Sequence, residues 1–207
     1  MIALVDYGIG NLRSMEKALQ AVGAEVCLTS TPEGILSAEK VVLPGVGAFG
    51  DGMTGLRERG LVEAVQSLPA KGIPLLGICL GMQLFFEVGE EMGEHAGLGL
   101  IPGRVRRFPE TGLKIPHTGW NQISFMPGSL HCPGIPLLEG LEYGCYAYFN
   151  HSFYCDPSKA TDILARTEYG LEYASVIGRG CLYGAQFHPE KSQAVGLQVL
   201  RNFVERC

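Results

Sequence analysis

The sequence predicts an α/β fold: a doubly wound, mostly parallel sheet flanked by helices, with a smaller antiparallel region in the C-terminal half. Three observations predict it. Short apolar runs alternate with helical periodicity through the first half. Shorter, more polar runs follow in the second half. The 207 residues are 46% hydrophobic and only 18% charged, which suits one compact domain spanning residues 1–207.

Ile2–Val5 is an apolar strand. Leu12–Val22 sets Leu12, Met15, Leu19 and Val22 on one helix face. Glu25–Leu28 and Lys40–Leu43 are further strands, the second stopped by Pro44-Gly45. Leu56–Leu68 reads as one or two helices, Ile73–Ile78 as a buried strand, and Gly81–Val88 as the helix after it. The Gly- and Glu-rich stretch Gly89–Gly99 is the segment expected to move most. Val105–Phe108, Asn121–Phe125, Cys145–Phe149 and Asp162–Thr167 read as antiparallel strands. Tyr173–Phe187 is a hairpin turning at Gly178-Arg179-Gly180. In the last helix, Ser192–Glu205, Ser192 is the N-cap and Val195, Val199, Leu200, Phe203 and Val204 form the apolar face.

Composition excludes several classes. Net charge is −5 and no basic run occurs, so nucleic acid is not an expected partner. The longest apolar run, Ile73–Phe86, is broken by Gly77, Gly81 and Gln83. It falls short of the ~20 residues that span a bilayer. Met1–Asp6 has neither the basic start nor the cleavage site of a signal peptide. The seven cysteines (Cys27, Cys79, Cys132, Cys145, Cys155, Cys181 and Cys207) are scattered without a C-x-x-C. This fits a reduced cytoplasmic compartment and gives no ligand spacing for a metal; no cofactor is expected.

Three stretches bear on chemistry. Gly77-Ile78-Cys79-Leu80-Gly81 joins a strand to a helix with a G-x-C-x-G spacing. It matches the nucleophile elbow of hydrolases with sulfur in place of a hydroxyl. A helix N-terminus would also lower a thiol pKa. A buried structural Cys79 is the alternative. Gln83, four residues on, shares the helix face and could bind a polar substrate. The second stretch holds His188-Pro189-Glu190. A thiol enzyme needs a base and an acid, and an imidazole oriented by a carboxylate provides both. A strand-end His closing a turn is the alternative. The third, Pro44-Gly45-Val46-Gly47, follows a strand and offers backbone N–H groups to an oxyanion, with Leu80 N–H as second donor. An ordinary Gly-rich turn is the alternative. Asp6–Arg13 starts like a dinucleotide loop, but Arg13 stands where a third Gly belongs, so it reads as a turn into the first helix.

Together these residues resemble the class I (triad) glutamine amidotransferases. Asp6–Ser14, Pro44–Gly50, Pro116–Asn121, Tyr148–Tyr154 and Gln186–Ser192 carry the likeness through most of the chain. The resemblance implies that Cys79 attacks the side-chain amide of glutamine, with His188 as acid and base and Glu190 orienting it. It implies oxyanion or substrate contacts from Gly45, Val46, Gly47 and Leu80. Gln83 and the stretch His151-Ser152-Phe153 would hold the amino-acid end. Within the family the match is to glutaminase subunits working in a heterodimer with a (β/α)8-barrel cyclase. That cyclase makes imidazole glycerol phosphate and aminoimidazole carboxamide ribotide in histidine biosynthesis. The absence of a basic cluster for a doubly phosphorylated substrate agrees with a second chain. Lys114, Pro116, Thr118, Trp120 and Tyr148 are the partner-face candidates, with Trp120 equally readable as core. Thr118 stands where the family commonly has Met, and Asn150 where it has Val. A stand-alone thiol amidase or γ-glutamyl hydrolase, or a non-catalytic flavodoxin-like binding module, would use the same scaffold.

Overall fold

Strands Ile2–Val5 (β1), Val26–Thr29 (β2), Lys40–Leu43 (β3), Leu75–Ile78 (β4) and Leu182–Ala185 (β13) lie in the order β2-β1-β3-β4-β13, all parallel. The computed structural model describes residues 1–110, 112–125 and 136–207; Cys132 lies outside them. Alternation along each strand divides the core. Ala3 and Val5 of β1 pack with Val41, Leu43 and Leu75 on one face. Ile2 and Leu4 pack with Val42, Leu76 and Ile78 on the other. The first face is covered by helices Pro32–Leu36 (α2), Phe49–Glu58 (α3) and Val62–Ser67 (α4). The second is covered by Leu12–Ala21 (α1) and Gln193–Arg206 (α6), through Met15, Leu19, Leu200 and Phe203. Burial on both faces is why these strands read as continuous apolar runs. Lys40 ties β3 to the end of α6, donating from Nζ to the carbonyls of Phe203 (2.9 Å) and Val204 (2.6 Å).

Beyond β13 the same sheet turns mainly antiparallel. Glu172–Arg179 (β12) pairs with β13 through the expected hairpin. Phe153–Pro157 (β10) bridges to β12 and pairs with Ile101–Arg107 (β7). Phe86–Gly89 (β5) and His95–Ala96 (β6) complete that edge. Ile163–Glu168 (β11) leads from β12 to a two-stranded ribbon of His117–Phe125 (β8) and Cys145–His151 (β9).

The differences from the sequence reading are local. The helix expected over Gly81–Val88 lasts one turn, Leu80–Gln83 (α5), and Phe86–Gly89 is a strand instead. Pairing of Phe86 with Ile101 and Val88 with Arg104 decides this. Leu84, Phe85 and Phe86 are all buried, so the run has no polar helix face to keep it helical. Leu56–Leu68 resolves into the end of α3 and α4, with α3 beginning at Phe49, whose N–H donates to Glu91 Oε2 at 2.8 Å. Gly89–Gly99 carries β6, with Val88 opposite Ala96. Ser192 precedes α6, yet its hydroxyl makes no helix cap because it is engaged elsewhere.

Candidate active site

Cys79 occupies the corner between β4 and α5 with φ 53° and ψ −110°, a conformation that side chains rarely adopt. The two flanking glycines permit it. A Cβ on Gly81 would overlap the Leu43 carbonyl, and one on Gly77 would sit 2.6 Å from the Phe85 ring. The Cys79 N–H donates to the Ala185 carbonyl at 2.8 Å, fixing the corner to the end of β13. The expected helix N-terminus is only a single turn, so its dipole is slight. The sulfur's neighbourhood is set by side chains.

The parallel register pairs Ile78 with Ala185, so the chain leaving β13 runs beside the elbow. Cys79 and His188, more than a hundred positions apart in sequence, thereby meet at the carboxyl ends of adjacent strands. His188 is buried, and its Nδ1 lies 2.9 Å from Glu190 Oε1. Nδ1–H donates to the carboxylate, which leaves Nε2 for the sulfur. Burial pulls the His188 pKa down. Hydrogen bonds and charge from Cys79 and Glu190 outweigh that and push it up to about 10. Its backbone is held too. The His188 N–H donates to the Tyr148 carbonyl (2.9 Å). The Ser192 hydroxyl donates to the His188 carbonyl (2.7 Å) and accepts from the Tyr148 N–H (2.9 Å).

The Pro44–Gly47 loop faces this pair. Gly45 is boxed in: a Cβ there would overlap the Tyr7 hydroxyl and lie 2.8 Å from Leu80 Cβ. Gly47 has open space but φ 106°. One glycine therefore serves packing and the other conformation. The fully buried Tyr7 donates its hydroxyl to the Pro44 carbonyl at 2.6 Å and supports the loop from below. Burial raises the Tyr7 pKa, so the hydroxyl stays a donor. The Asp6–Arg13 turn thus supports the loop as well as feeding α1.

A cleft of about 380 Å³ opens over these groups. Val46, Gly47, Cys79, Leu80, Gln83, His151, Ser152, Phe153 and His188 line it, so every expected oxyanion and substrate position except the underlying Gly45 reaches it. Two side chains are oriented differently from the sequence expectation. Gln83 turns its amide NH2 inward, to the Phe153 carbonyl (3.0 Å) and Gln186 Oε1 (3.2 Å). His151 donates from Nδ1 to the Phe153 carbonyl (2.8 Å) and meets the Tyr173 hydroxyl through Nε2 (3.3 Å). Burial brings the His151 pKa down to about 3, so it is neutral. Residues that sequence reasoning missed are Tyr7, Glu91, Asn150, Gln186, Lys191 and Ser192. Tyr7, Asn150, Gln186, Lys191 and Ser192 stand inside stretches that carry the family resemblance, which was the available signal; Glu91 gave none.

The β8–β9 ribbon forms one wall. Trp120 is 46% exposed and packs edge-on against Tyr148, with ring centroids 6.1 Å apart, so it belongs to the surface and not the core. Pro116 is exposed and lines the cleft, and the Lys114 carbonyl accepts from the Tyr169 hydroxyl at 2.7 Å. Thr118 lies opposite Asn150 in register, and its hydroxyl donates to Asn150 Oδ1 at 3.0 Å. The two departures from the family pattern are thus one cross-strand pair.

The family model for "Glutamine amidotransferase class-I" matches residues 3–207. The imidazole glycerol phosphate synthase subunit HisH of Moorella thermoacetica is 50% identical, over 99% of this chain and 94% of that protein. The HisH subunit of Geobacillus kaustophilus is 48% identical, over 99% and 96%. The chain belongs to the HisH family of class-I glutamine amidotransferases. As a HisH-family glutamine amidotransferase it is a glutamine-hydrolysing enzyme, a glutaminase subunit of imidazole glycerol phosphate synthase. Distant solved structures share the fold. A glutamine amidotransferase at 20% identity superposes with a TM-score of 0.76, covering 99% of this chain and 98% of that one. PurLQS from Thermotoga maritima, at 18% identity, gives 0.76 over 98% and 96%.

Proposed function

We propose that Cys79, His188 and Glu190 carry out glutamine hydrolysis in this cleft, and that the ammonia serves a (β/α)8-barrel cyclase bound in a heterodimer. The supporting observation is one arrangement: a strained thiol corner, an imidazole 2.9 Å from a buried carboxylate, and a propped Gly-rich loop around a single cleft. Cys79 Sγ attacks the amide carbon, forming a C–S bond. The oxyanion is received by N–H groups of Leu80 and the Gly45–Gly47 loop. His188 passes a proton to the amide nitrogen, the C–N bond breaks, and ammonia leaves. Water then attacks the thioester while His188 takes its proton, and glutamate departs as the thiolate returns. Ser152, Phe153, Gln83 and His151 hold the amino-acid end, in part through backbone groups.

The partner face is the β8–β9 ribbon with Lys114, Pro116, Thr118, Trp120 and Tyr148. It joins the cleft directly, since Pro116 and Asn150 line both. Partner binding aligns the oxyanion loop, and the work is done in the cytoplasm as part of histidine biosynthesis. Among the described residues no helix is long and apolar enough to cross a membrane. The test measures glutamate release by the chain alone and with a barrel cyclase and its ligand. Release should be weak alone, strongly raised in the complex, and lost in Cys79→Ala. Full activity of the isolated chain would remove the partner-gated part. Activity in Cys79→Ala would remove the triad.

A further inference from the structure

Gln186 lies between the end of β13 and His188, completely buried, with Nε2 3.6 Å from Cys79 Sγ. Its neighbours decide which end of the amide faces the sulfur. The Phe153 carbonyl can only accept, so Gln83 must turn its NH2 there. The same NH2 lies 3.2 Å from one terminal atom of Gln186, which must therefore be the oxygen. The Cys155 sulfur, 3.9 Å away, reaches that oxygen too. Burial keeps Cys155 a thiol, a donor. Only the Gln186 NH2 is left for Cys79. Reversing the amide would set NH2 against NH2 and oxygen against sulfur, losing both bonds.

Building on the role proposed above for Cys79, we propose that Gln186 is a further catalytic residue, donating an N–H to the Cys79 sulfur and stabilising it as thiolate. His188 cannot fill this role throughout. Once it has given its proton to the departing ammonia, it must work as a base on water. Until that proton arrives from water, the Gln186 N–H is the donor left to the sulfur. When the C–S bond then breaks and the sulfur keeps its electron pair, the imidazolium and the Gln186 amide both face the thiolate. The orientation lock means that this donor need not reorganise during the cycle.

The experiment compares Gln186→Met with Gln83→Met in the full chain. It follows alkylation of Cys79 by iodoacetamide, and kcat and KM for glutamine in the complex with the cyclase. The other titratable groups around the sulfur are His188, Tyr7, Cys155 and Tyr173, with Glu91, His151 and Lys191 lining the cleft. None of these is altered in either variant. Loss of one charge-assisted donor should slow alkylation at pH 7 by about ten- to a hundred-fold in Gln186→Met. The deficit should narrow at alkaline pH, and kcat should fall while KM stays within about three-fold. Gln83→Met removes one of the two donors to Oε1 but leaves Cys155 on that oxygen and the N–H on the sulfur, so its alkylation should stay within about three-fold of wild type and its KM should rise. Wild-type alkylation in Gln186→Met, or equal slowing in both variants, would overturn the proposal. If Gln186→Met melts below the assay temperature, Gln186→Asn carries the same expectation, since it withdraws the amide by one methylene. Cys79→Ala tests the triad separately: if it is inactive while Gln186→Met alkylates normally, only the role of Gln186 falls.

Discussion

In the parallel half of the sheet, β2-β1-β3-β4-β13, the candidate site is made of backbone. Its parts are the corner at Cys79, the close approach of Gly81 to Leu43, and the loop at Gly45–Gly47 resting on Tyr7. Where that half meets the antiparallel strands and their ribbon, the same site is made of polar side chains and their hydrogen bonds: His151 on Tyr173, Gln83 on the Phe153 carbonyl, and the Ser192 hydroxyl between Tyr148 and His188. The first is closed to an added atom at Gly45, Gly77 and Gly81, whereas the second depends on particular donors and acceptors. Geometry that must place a nucleophile is built where both faces are packed; orientation that must serve proton transfer is built where polar side chains reach in.

Four changes would break or sharpen that contrast. Gly81→Ala should have the largest effect. Its Cβ meets a main-chain carbonyl that cannot rotate away, so about 1–3 kcal/mol of stability and most glutamine hydrolysis should be lost. A melting curve beside an activity assay reads both, and near-normal activity would show that the backbone half is more pliant than argued. Glu190→Gln should lower turnover by about ten- to a hundred-fold. His188 is protonated below its raised value and neutral above it. Removing the carboxylate charge lowers that value, so the alkaline decline of the rate profile should begin at lower pH. An unmoved profile would refute the pairing.

Ser192→Ala should lower kcat by about ten-fold, consistent with one or two lost hydrogen bonds of ordinary strength. Melting should fall only by the few degrees that those bonds are worth, because α6 does not use this hydroxyl as a cap. A large fall in melting temperature with unchanged kcat would make it a structural residue. The smallest effect concerns acid stability. Burial brings His117 down to about 4 and His151 to about 3. The unfolded chain takes up these protons near pH 6.5 while the folded one does not. Stability is therefore complete above that pH and is lost as pH falls toward these values. His117→Gln should melt a few degrees less steeply between pH 7 and pH 4 than wild type.

The parts legible in the sequence are those fixed within a few residues. Gly77 and Gly81 announce the elbow because small residues two positions either side of a nucleophile serve one local clash each. His188-Pro189-Glu190 is legible because Pro restricts the residue before it and the carboxylate is only two residues on. The strand β5 was hidden, because Leu84, Phe85 and Phe86 suit a buried helix or a buried strand, and pairing with β7 decides. Tyr7, Ser192 and Gln186 were hidden for a related reason. Each is a polar side chain with a deciding partner tens of positions away or more: Pro44 for Tyr7, Tyr148 for Ser192, and Cys79 for Gln186. Glu91 sat in a stretch read as loose, yet its carboxylate caps α3.

The place of β13 has a consequence for how the protein is made. Among the described strands it comes last in chain order, yet it is inserted between β4 and β12. A chain still on the ribosome as far as Cys181 contains the residues of the thiol corner and the glycine loop, but it lacks the Ala185 carbonyl that holds Cys79 and the proposed base His188. Cys79 and His188 therefore come together only after β13 has been made, and a polypeptide that stops short of it lacks the pair proposed to release ammonia.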